Sequence, residues 1–302
     1  MSEPVHQGAR LRFKVNPHAP KLVIGLPVRK TSPVEFWISM LQALPPLNVR
    51  MSYLYQKGAD APGGKLPAEA RNAILRRAIE EGIEFVCFLD DDVLFPELAF
   101  YRLWVAMSKH PEAACITGVY TSKQDPSEPL LYENEMGGAY WDWALGDLVP
   151  IHSAGAGIML VRMSYVAKLE PPWFNDVVVE VPDDAVTLRN SWGHDRYFHM
   201  RLRNEAGGVV YADTGLLCAH WDVDLQKNFL LPPDAPCFQR PMAGEAWVPY
   251  LDEQGVCQWR RMVPLTTPRD AQFKGWLDYV GRPSETRNVL QMVGERGEEA
   301  SA

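Results

Sequence analysis

Residues 85–93 place five apolar side chains directly before three consecutive carboxylates, in the order Phe-Val-Cys-Phe-Leu-Asp-Asp-Asp-Val. An apolar run of this length predicts a strand buried on both faces, as in the centre of a parallel sheet. In open α/β sheets, ligands bind in the crevice at the carboxyl ends of such strands. Asp90, Asp91 and Asp92 would repel one another there unless a cation neutralised them, so the pattern predicts a divalent metal. The alternative is a solvated acidic turn that caps a helix near Pro96, although a cap needs one acid and not three.

Composition narrows the class of protein. The chain has 302 residues, 47% of them hydrophobic and 23% charged, which is typical of a globular protein with room for one large α/β domain and an appendage. A formal net charge of −8 argues against indiscriminate binding to nucleic acid or acidic membranes, although a local basic groove remains compatible with it. The five cysteines form no Cys-x-x-Cys pair, which favours reduced thiols over a disulfide framework. With no secretory leader and no long apolar stretch, we expect a cytoplasmic protein without membrane insertion.

Strand and helix patterns alternate over the first 120 residues. The predicted strands are 22–28, 48–56, 85–89 and 114–120, and the predicted helices are 33–44, 69–81 and 97–109. This alternation predicts right-handed βαβ units, and therefore an α/β fold with a mostly parallel central sheet flanked by helices.

The regular alternation of strand and helix patterns ends at about residue 125. Short β-like pieces lead to a strand at 158–161, a helix after Gly193 and strands near 209–212 and 216–219. The predicted organisation is an N-terminal arm over 1–20, a main domain over 21–228 and a Pro/Trp-rich C-terminal extension over 229–302.

Two segments carry residues suited to a phosphate ligand. Arg71 lies on the opening turn of the helix predicted at 69–81, where a guanidinium beside free N–H groups suits a phosphate or a carboxylate. The alternative is a surface arginine paired with a glutamate. Gly155 and Ala156 lie in a small-residue segment before the strand at 158–161, which permits close approach of a ligand, although such clusters also mark turns.

Two further segments carry acid–base or metal-binding groups. His194 and Asp195 open a helical pattern, where an acid equally serves as a helix cap. His220 ends a short apolar strand, as Asp90–Asp92 do, although a lone histidine is more often structural than a ligand. Trp141, Trp143, Trp173 and Trp192 follow the predicted sheet and suit either sugar or nucleobase stacking or simple core packing.

Together these pieces resemble glycosyltransferases of the GT-A fold, most closely the large family 2 group that uses nucleotide-activated sugars. The matching segments are Ile24–Arg29, Ala70–Asn72, Phe88–Val93, Gly155–Val161, His194–Asp195 and Cys218–His220. They span residues 22–225, about two-thirds of the chain. The compact layout with its Pro/Trp-rich tail also resembles small glycosyltransferases of bacteriophage genomes. The resemblance implies a Rossmann-like GT-A sheet with a small mixed β region on the acceptor side.

The resemblance also implies roles for individual residues. Asp90, Asp92 and His220 would hold Mn²⁺ or Mg²⁺: Asp92 would bind the metal directly, His220 would complete the metal shell, and Asp90 would contact the ribose or metal-bound water. Asp195 matches the second acid of the family's Glu-Asp pair, the base for inverting transfer, while His194 departs from the pattern. The full set implied for the nucleotide-sugar donor is Pro27, Arg29, Arg71, Asp90, Asp91, Gly155 and Ala156.

The chemistry of the donor follows from its leaving group. Negative charge develops on the diphosphate as the glycosyl bond breaks, and a divalent cation stabilises it. A carboxylate takes the proton of the acceptor hydroxyl. The acceptor is a glycan or a hydroxylated base in DNA, with lipid-linked sugars and protein hydroxyls also open. Two other classes stay open: a sugar-1-phosphate nucleotidyltransferase, although its glycine-rich turn is missing after Leu26, and a non-catalytic nucleotide-sugar-binding protein.

Overall fold

A computed structural model describes residues 18–29, 32–57, 65–135, 137–178 and 191–264 of the chain. Most of the predicted N-terminal arm, the last part of the predicted extension and the side chain of Trp192 lie outside the described residues.

The described ranges contain five α-helices and a 3₁₀ turn at Pro236–Gln239. The helices are α1 (Val34–Gln42), α2 (Pro67–Glu80), α3 (Ala99–Lys109), α4 (Met163–Val166) and α5 (His194–Asn204). The strands are β1 (Lys21–Val28), β2 (Arg50–Lys57), β3 (Phe85–Leu89), β4 (Val93–Leu94), β5 (Ala113–Val119), β6 (Leu131–Tyr132), β7 (Leu148–Pro150), β8 (Ser153–Ala154), β9 (Ile158–Arg162), β10 (Val177–Val178), β11 (Ser191–Trp192), β12 (Val209–Leu217), β13 (Ala219–Asp222), β14 (Lys227–Phe229), β15 (Ala246–Leu251) and β16 (Cys257–Met262).

One large mixed sheet organises the described part of the chain. Its strand order is β16-β15-β12-β5-β9-β3-β1-β2, and β7 pairs with β12 beside this path. Strands β1, β2, β3, β5, β12 and β15 run in one direction, whereas β7, β9 and β16 run in the opposite direction. The predicted α/β class and mostly parallel sheet are therefore confirmed.

The centre of the sheet differs from the prediction. Strand β3 was expected between parallel neighbours, but only β1 is parallel to it, because β9 inserts antiparallel between β3 and β5. In this register Phe88 lies opposite Met159, and Cys115 lies opposite Val161. The apolar sequence at 158–161 predicts a strand there. A local apolar pattern carries no information on the direction of that strand in the sheet.

Burial on both faces of β3 is confirmed, since all five of its residues are buried. Val86 and Phe88 belong to one core with residues of α2 and α5, whereas Cys87 and Leu89 belong to a second core with residues of α1 and α3. Alternate side chains thus enter two different cores, which explains why the run reads as continuously apolar.

The two short strands predicted at 209–212 and 216–219 are one irregular strand, β12, followed by β13. Its pairing with β5 shifts register between Asp213 and Leu217. The buried Asp213 carboxylate accepts hydrogen bonds from Arg102 and from the Gly215 backbone N–H at 2.7 and 2.9 Å. A polar side chain at this irregularity interrupts the apolar pattern, so the sequence reads as two strands.

Strands β15 and β16 were not predicted, because Pro and Trp residues obscure their period. They form an antiparallel hairpin that joins the main sheet where Leu216 of β12 pairs with Trp247 of β15. All five cysteines are buried and unpaired. Among the helices described, none is both long and apolar enough to cross a bilayer.

Candidate active site

The candidate site lies at the carboxyl edge of the main sheet, where sequence analysis expected it. Arg29 follows β1, the three carboxylates Asp90–Asp92 follow β3, and Lys123 follows β5. His220 lies on β13, directly after β12. Strand β13 pairs with β4, which begins immediately after Asp92, so this small sheet brings the histidine to the carboxylates.

The Asp91 carboxylate is hydrogen-bonded to other residues of the chain. It accepts hydrogen bonds from the backbone N–H of Arg29 at 2.9 Å, from Arg29 Nε at 2.8 Å and from the Ser32 hydroxyl at 2.7 Å. The side chain is only 3% exposed. Both oxygens therefore already have partners within the chain, in Arg29 and Ser32, while the contact of Asp91 with the nucleotide stays a prediction.

Asp92 meets three basic groups. Its Oδ2 lies 2.7 Å from Lys123 Nζ, 3.3 Å from Arg29 Nη2 and 3.4 Å from His220 Nε2. Burial by itself would raise the pKa of Asp92, but His220 and Lys123 outweigh it and hold the pKa well below the usual range. Asp92 is therefore ionised at neutral pH.

His220 has one nitrogen with a defined role. Its Nδ1 lies 2.7 Å from the carbonyl oxygen of Thr121, so Nδ1 carries a hydrogen and donates a hydrogen bond to that oxygen. The other nitrogen, Nε2, faces the Asp92 carboxylate. Metal-binding histidines are commonly oriented in this way by a backbone carbonyl.

The fit of the predicted metal set is partial. No group of three or more His, Cys, Asp or Glu side chains is arranged to hold an ion within the described ranges. Asp92 and His220 converge and fit as two ligands, whereas Asp90 Oδ1 is bound to Arg71 Nη2 at 2.5 Å. Lys123, Arg29 and Arg71 also neutralise the carboxylates, so charge repulsion alone no longer demands a metal. These three basic residues are distant from Asp90–Asp92 in the chain, so the sequence alone does not reveal the neutralisation.

Arg71 is the centre of a second group. It is only 2% exposed, and its Nη1 lies 2.6 Å from His194 Nε2 and 3.6 Å from Asp195 Oδ1. The alternative of a surface arginine is therefore wrong. Its Nε is buried and has no acceptor among the described residues. An unpaired buried N–H is costly, so this guanidinium suits an incoming anion.

Asp195 and His194 lie in the first turn of α5. Asp195 accepts a hydrogen bond from the Ala156 backbone N–H at 3.1 Å and lies 2.8 Å from His194 Nε2. Burial would raise the pKa of Asp195, but Arg71 and His194 outweigh it and hold the pKa well below the usual range. Burial also raises the pKa of Asp90, to about 6, against the opposing charge of Arg71.

The glycines at 155 and 157 have a packing reason. A Cβ at Gly155 would lie 2.1 Å from the Tyr120 hydroxyl oxygen, and one at Gly157 would lie 2.6 Å from Tyr120 Cζ. The Tyr120 hydroxyl also accepts a hydrogen bond from the Gly157 N–H at 3.0 Å. Close approach of a ligand was expected here, but the neighbour that needs the space is Tyr120.

Pro27 and the predicted tryptophans whose side chains the structure describes are not among the residues that contact the carboxylates. Pro27 lies near the end of β1, opposite Gln56 of β2. Trp143 and Trp173 are buried in the core that includes α2 and α5, and Trp141 packs against it. The core-packing alternative is thus confirmed for Trp143 and Trp173.

Three residues of the site were not predicted from the sequence: Lys123, Tyr120 and Asp176. Lys123 follows a predicted strand closely, so the carboxyl-end rule that selected Asp90–Asp92 also applied to it. Asp176 accepts a hydrogen bond from the His194 backbone N–H at 3.0 Å, and its Oδ1 lies 3.2 Å from His194 Nδ1. No local signal connects Asp176 with a helix that begins 18 residues later.

No protein-family model matches the chain, and no curated protein sequence matches it. Among solved structures, the chain is similar to the crystal structure of A197 from STIV, with 15% sequence identity and a TM-score of 0.46. The match covers 70% of this chain and 94% of that chain.

Proposed function

We propose that this protein is a glycosyltransferase of the GT-A type that moves a sugar from a nucleoside-diphosphate donor to an acceptor hydroxyl. The observation that carries the proposal is the convergence of Asp92 and the Nε2 of His220, beside Arg29 and Lys123, at the carboxyl edge of the sheet. Carboxylate and imidazole ligands next to cationic side chains suit a diphosphate and its counter-ion.

The surroundings of this cluster support a nucleotide donor. A groove of about 630 Å³ runs beside the ends of β1 and β2 and is lined by Val28, Arg29, Tyr55 and Lys57 among others. An aromatic ring and apolar walls suit a nucleobase, and Arg29 connects this groove to Asp92. Arg71, with its unpaired Nε, supplies a second cationic group for the diphosphate.

Asp92 and His220 would hold Mn²⁺ or Mg²⁺, which stabilises negative charge on the leaving diphosphate when bound. Lys123 already contacts the same Asp92 oxygen that faces His220. If Asp92 and His220 held a cation, the Lys123 ammonium group would no longer be needed at this oxygen and would be available for a phosphate oxygen.

The proposed base is Asp195, which is ionised at neutral pH and held by the N–H of Ala156. Attack from the face opposite the diphosphate would invert the anomeric carbon. The acceptor class of glycan or hydroxylated DNA base remains part of the proposal. A cytoplasmic location is also proposed, supported by five buried, unpaired thiols.

The test is calorimetric titration with a panel of nucleoside diphosphates, with Mn²⁺, Mg²⁺ or EDTA present. We expect one nucleotide to bind the wild type in a metal-dependent way and to lose at least about tenfold in affinity in Asp92→Asn, about 1.4 kcal/mol. Asp224→Asn, which changes an exposed carboxylate on the turn after β13, is the matched control. Binding that ignores both the metal and Asp92 would overturn the proposal. Preference for a triphosphate together with a sugar 1-phosphate would favour the nucleotidyltransferase alternative.

A second arm of the same experiment uses Asp195→Asn and the nucleotide sugar of the base identified by titration. We expect hydrolysis or transfer to slow by about 10²–10⁴-fold while nucleotide affinity stays within twofold of wild type, about 0.4 kcal/mol. Full turnover in Asp195→Asn would remove Asp195 from the role of base and leave the donor site intact.

A further inference from the structure

Strand β2 (Arg50–Lys57) forms one end of the main sheet. Its inner edge pairs with β1 in an uninterrupted register, from Lys21 opposite Arg50 to Val28 opposite Lys57. Apart from one hydrogen bond from the Lys65 N–H to the Lys57 carbonyl at 2.9 Å, no described residue outside β1 pairs with this strand. The backbone N–H and C=O groups of its outer edge therefore form a regular row that a further strand can join.

The two ends of the sheet differ in how they are protected. Natural sheets protect open edges with charged side chains, proline, bulges or short strands. The opposite end, β16, follows this rule, because Arg260 and Arg261 lie within its six residues. Strand β2 has eight residues, no proline and no bulge, and its basic residues lie only at its two ends, Arg50 and Lys57. Only the β16 end therefore carries charges along the strand.

The side chains beside this open edge are apolar and exposed. Tyr53 and Tyr55 are 55% and 68% exposed, whereas Leu54 between them is buried in the core. Trp37 and Leu41 of α1 line the same groove as the two tyrosines and are 42% and 86% exposed. A contiguous apolar surface of this kind marks an interaction site.

We propose that β2 pairs antiparallel with β2 of a second copy of this chain, so that the main sheet continues across a two-fold axis. An axis perpendicular to the sheet keeps each face on the same side in both copies. Opposite residues must then both have odd numbers or both have even numbers, because their side chains point to one face. A pair centred on Leu54 meets this condition and places Tyr53 of one protomer opposite Tyr55 of its partner. It also places Lys57 opposite Met51, so no like charges meet.

A second copy fits this surface better than a lipid bilayer does. An apolar lipid phase would cover the tyrosine rings but would leave the backbone N–H and C=O groups of the edge without partners, which is costly. A second β2 covers the rings and supplies those partners. The formal net charge of −8 also disfavours attraction to an anionic lipid surface.

The size of the contact determines its expected strength. The exposed parts of the four side chains and of the strand edge amount to roughly 600 Å² per copy, since one aromatic side chain buries ~150–250 Å². A two-fold contact of roughly 1,200 Å² lies at the lower limit of specific interfaces. We therefore expect a dimer with a dissociation constant in the micromolar range.

The dimer does not rest on the proposed function, so its test contains neither nucleotide nor metal. The full chain is measured by sedimentation velocity at concentrations from about 1 to 100 µM. We expect the mass to rise with concentration from 34.1 kDa towards twice that value. Tyr53→Lys combined with Tyr55→Lys should weaken association at least about tenfold, because it places charges along the edge. Tyr101→Lys, which changes a 46% exposed tyrosine of α3, is the matched control and should dimerise like wild type.

A second measurement tests the register of the two strands. A mixture of Tyr53→Cys chains and Tyr55→Cys chains should form an interchain disulfide on mild oxidation, since opposite residues of antiparallel strands have Cα atoms about 4.5–5.5 Å apart. The five native cysteines are all buried, so the introduced thiols react selectively. A mixture of Tyr53→Cys chains and Tyr101→Cys chains is the control and should form less of the interchain disulfide.

Each of the following results would overturn the proposal: the mass of a single chain at every concentration, equal association of the double lysine variant and wild type, or crosslinking no greater than in the control mixture. A monomer that floats with phosphatidylcholine vesicles would also overturn it and would identify a lipid surface as the partner. Failure of the nucleotide titration, in contrast, would leave the dimer unaffected.

Discussion

Arg71 shows how much a single buried charge can organise. Its guanidinium contacts Asp90 and lies near Asp195 and His194, in a position that is almost fully closed to solvent. The sequence identified this residue, because a basic group at a helix start suits an anion. Its burial could not be predicted, since that depends on α5 and on the turn after β3, which are distant in the chain.

Replacing Arg71 by methionine leaves two carboxylates without their main cation. We expect Arg71→Met to lower the free energy of unfolding by about 3–5 kcal/mol, measured by urea denaturation at pH 7. Arg77→Met is the control, because Arg77 forms an exposed pair with Glu81 on the same helix, and it should change stability by no more than about 0.5 kcal/mol. Equal losses in the two variants would contradict the assigned role of Arg71.

The connection from β8 to β9 packs closely against Tyr120. Gly155→Ala would place a methyl group against the Tyr120 hydroxyl. We expect this variant to lower the free energy of unfolding by about 1–3 kcal/mol, measured by thermal unfolding. Tyr120→Phe removes the nearest atom, so the double variant should lose less than the sum of the single losses. Strict additivity would show that the glycine is needed for another reason. Gly138→Ala, which meets open space, serves as the control.

The elements themselves were largely predictable, because apolar periods and glycine stops are local signals. Helix α2, for example, ends just before Gly82, whose φ of +62° suits glycine. The antiparallel insertion of β9 was not predictable, since direction and neighbour order depend on contacts between distant segments. The same reason explains Lys123: its strand was predicted, but its contact with Asp92 follows from strand order.

His199 links the stability of the folded protein to pH. It is fully buried, and its Nδ1 accepts a hydrogen bond from the Ala154 N–H at 3.2 Å. Burial lowers the pKa of His199 to about 4. The unfolded chain therefore binds more protons between pH 4 and the ordinary pKa of about 6.5, and stability falls as the pH drops through this window.

We expect His199 to remove up to about 3 kcal/mol of stability between pH 7 and pH 4, and His199→Gln to flatten this part of the profile. Asp90 has the opposite effect on stability. Its pKa is raised to about 6, so the folded protein takes up a proton there before the unfolded chain does, and this contribution to stability rises as the pH falls. Melting temperatures of wild type, His199→Gln and the control His110→Gln, whose side chain is 38% exposed, provide the measurement across this range. An unchanged slope in His199→Gln would contradict the assignment.

The position of β9 also has a consequence for how the chain is made. Strands β3 and β5 leave the ribosome well before residues 158–162, yet they meet only through β9. Until then each presents an open backbone edge that pairs readily with another chain, and closure of the intervening loop is slow. The half-finished sheet therefore exposes strand edges, and we expect a nascent chain of this protein to engage chaperones until β9 has emerged.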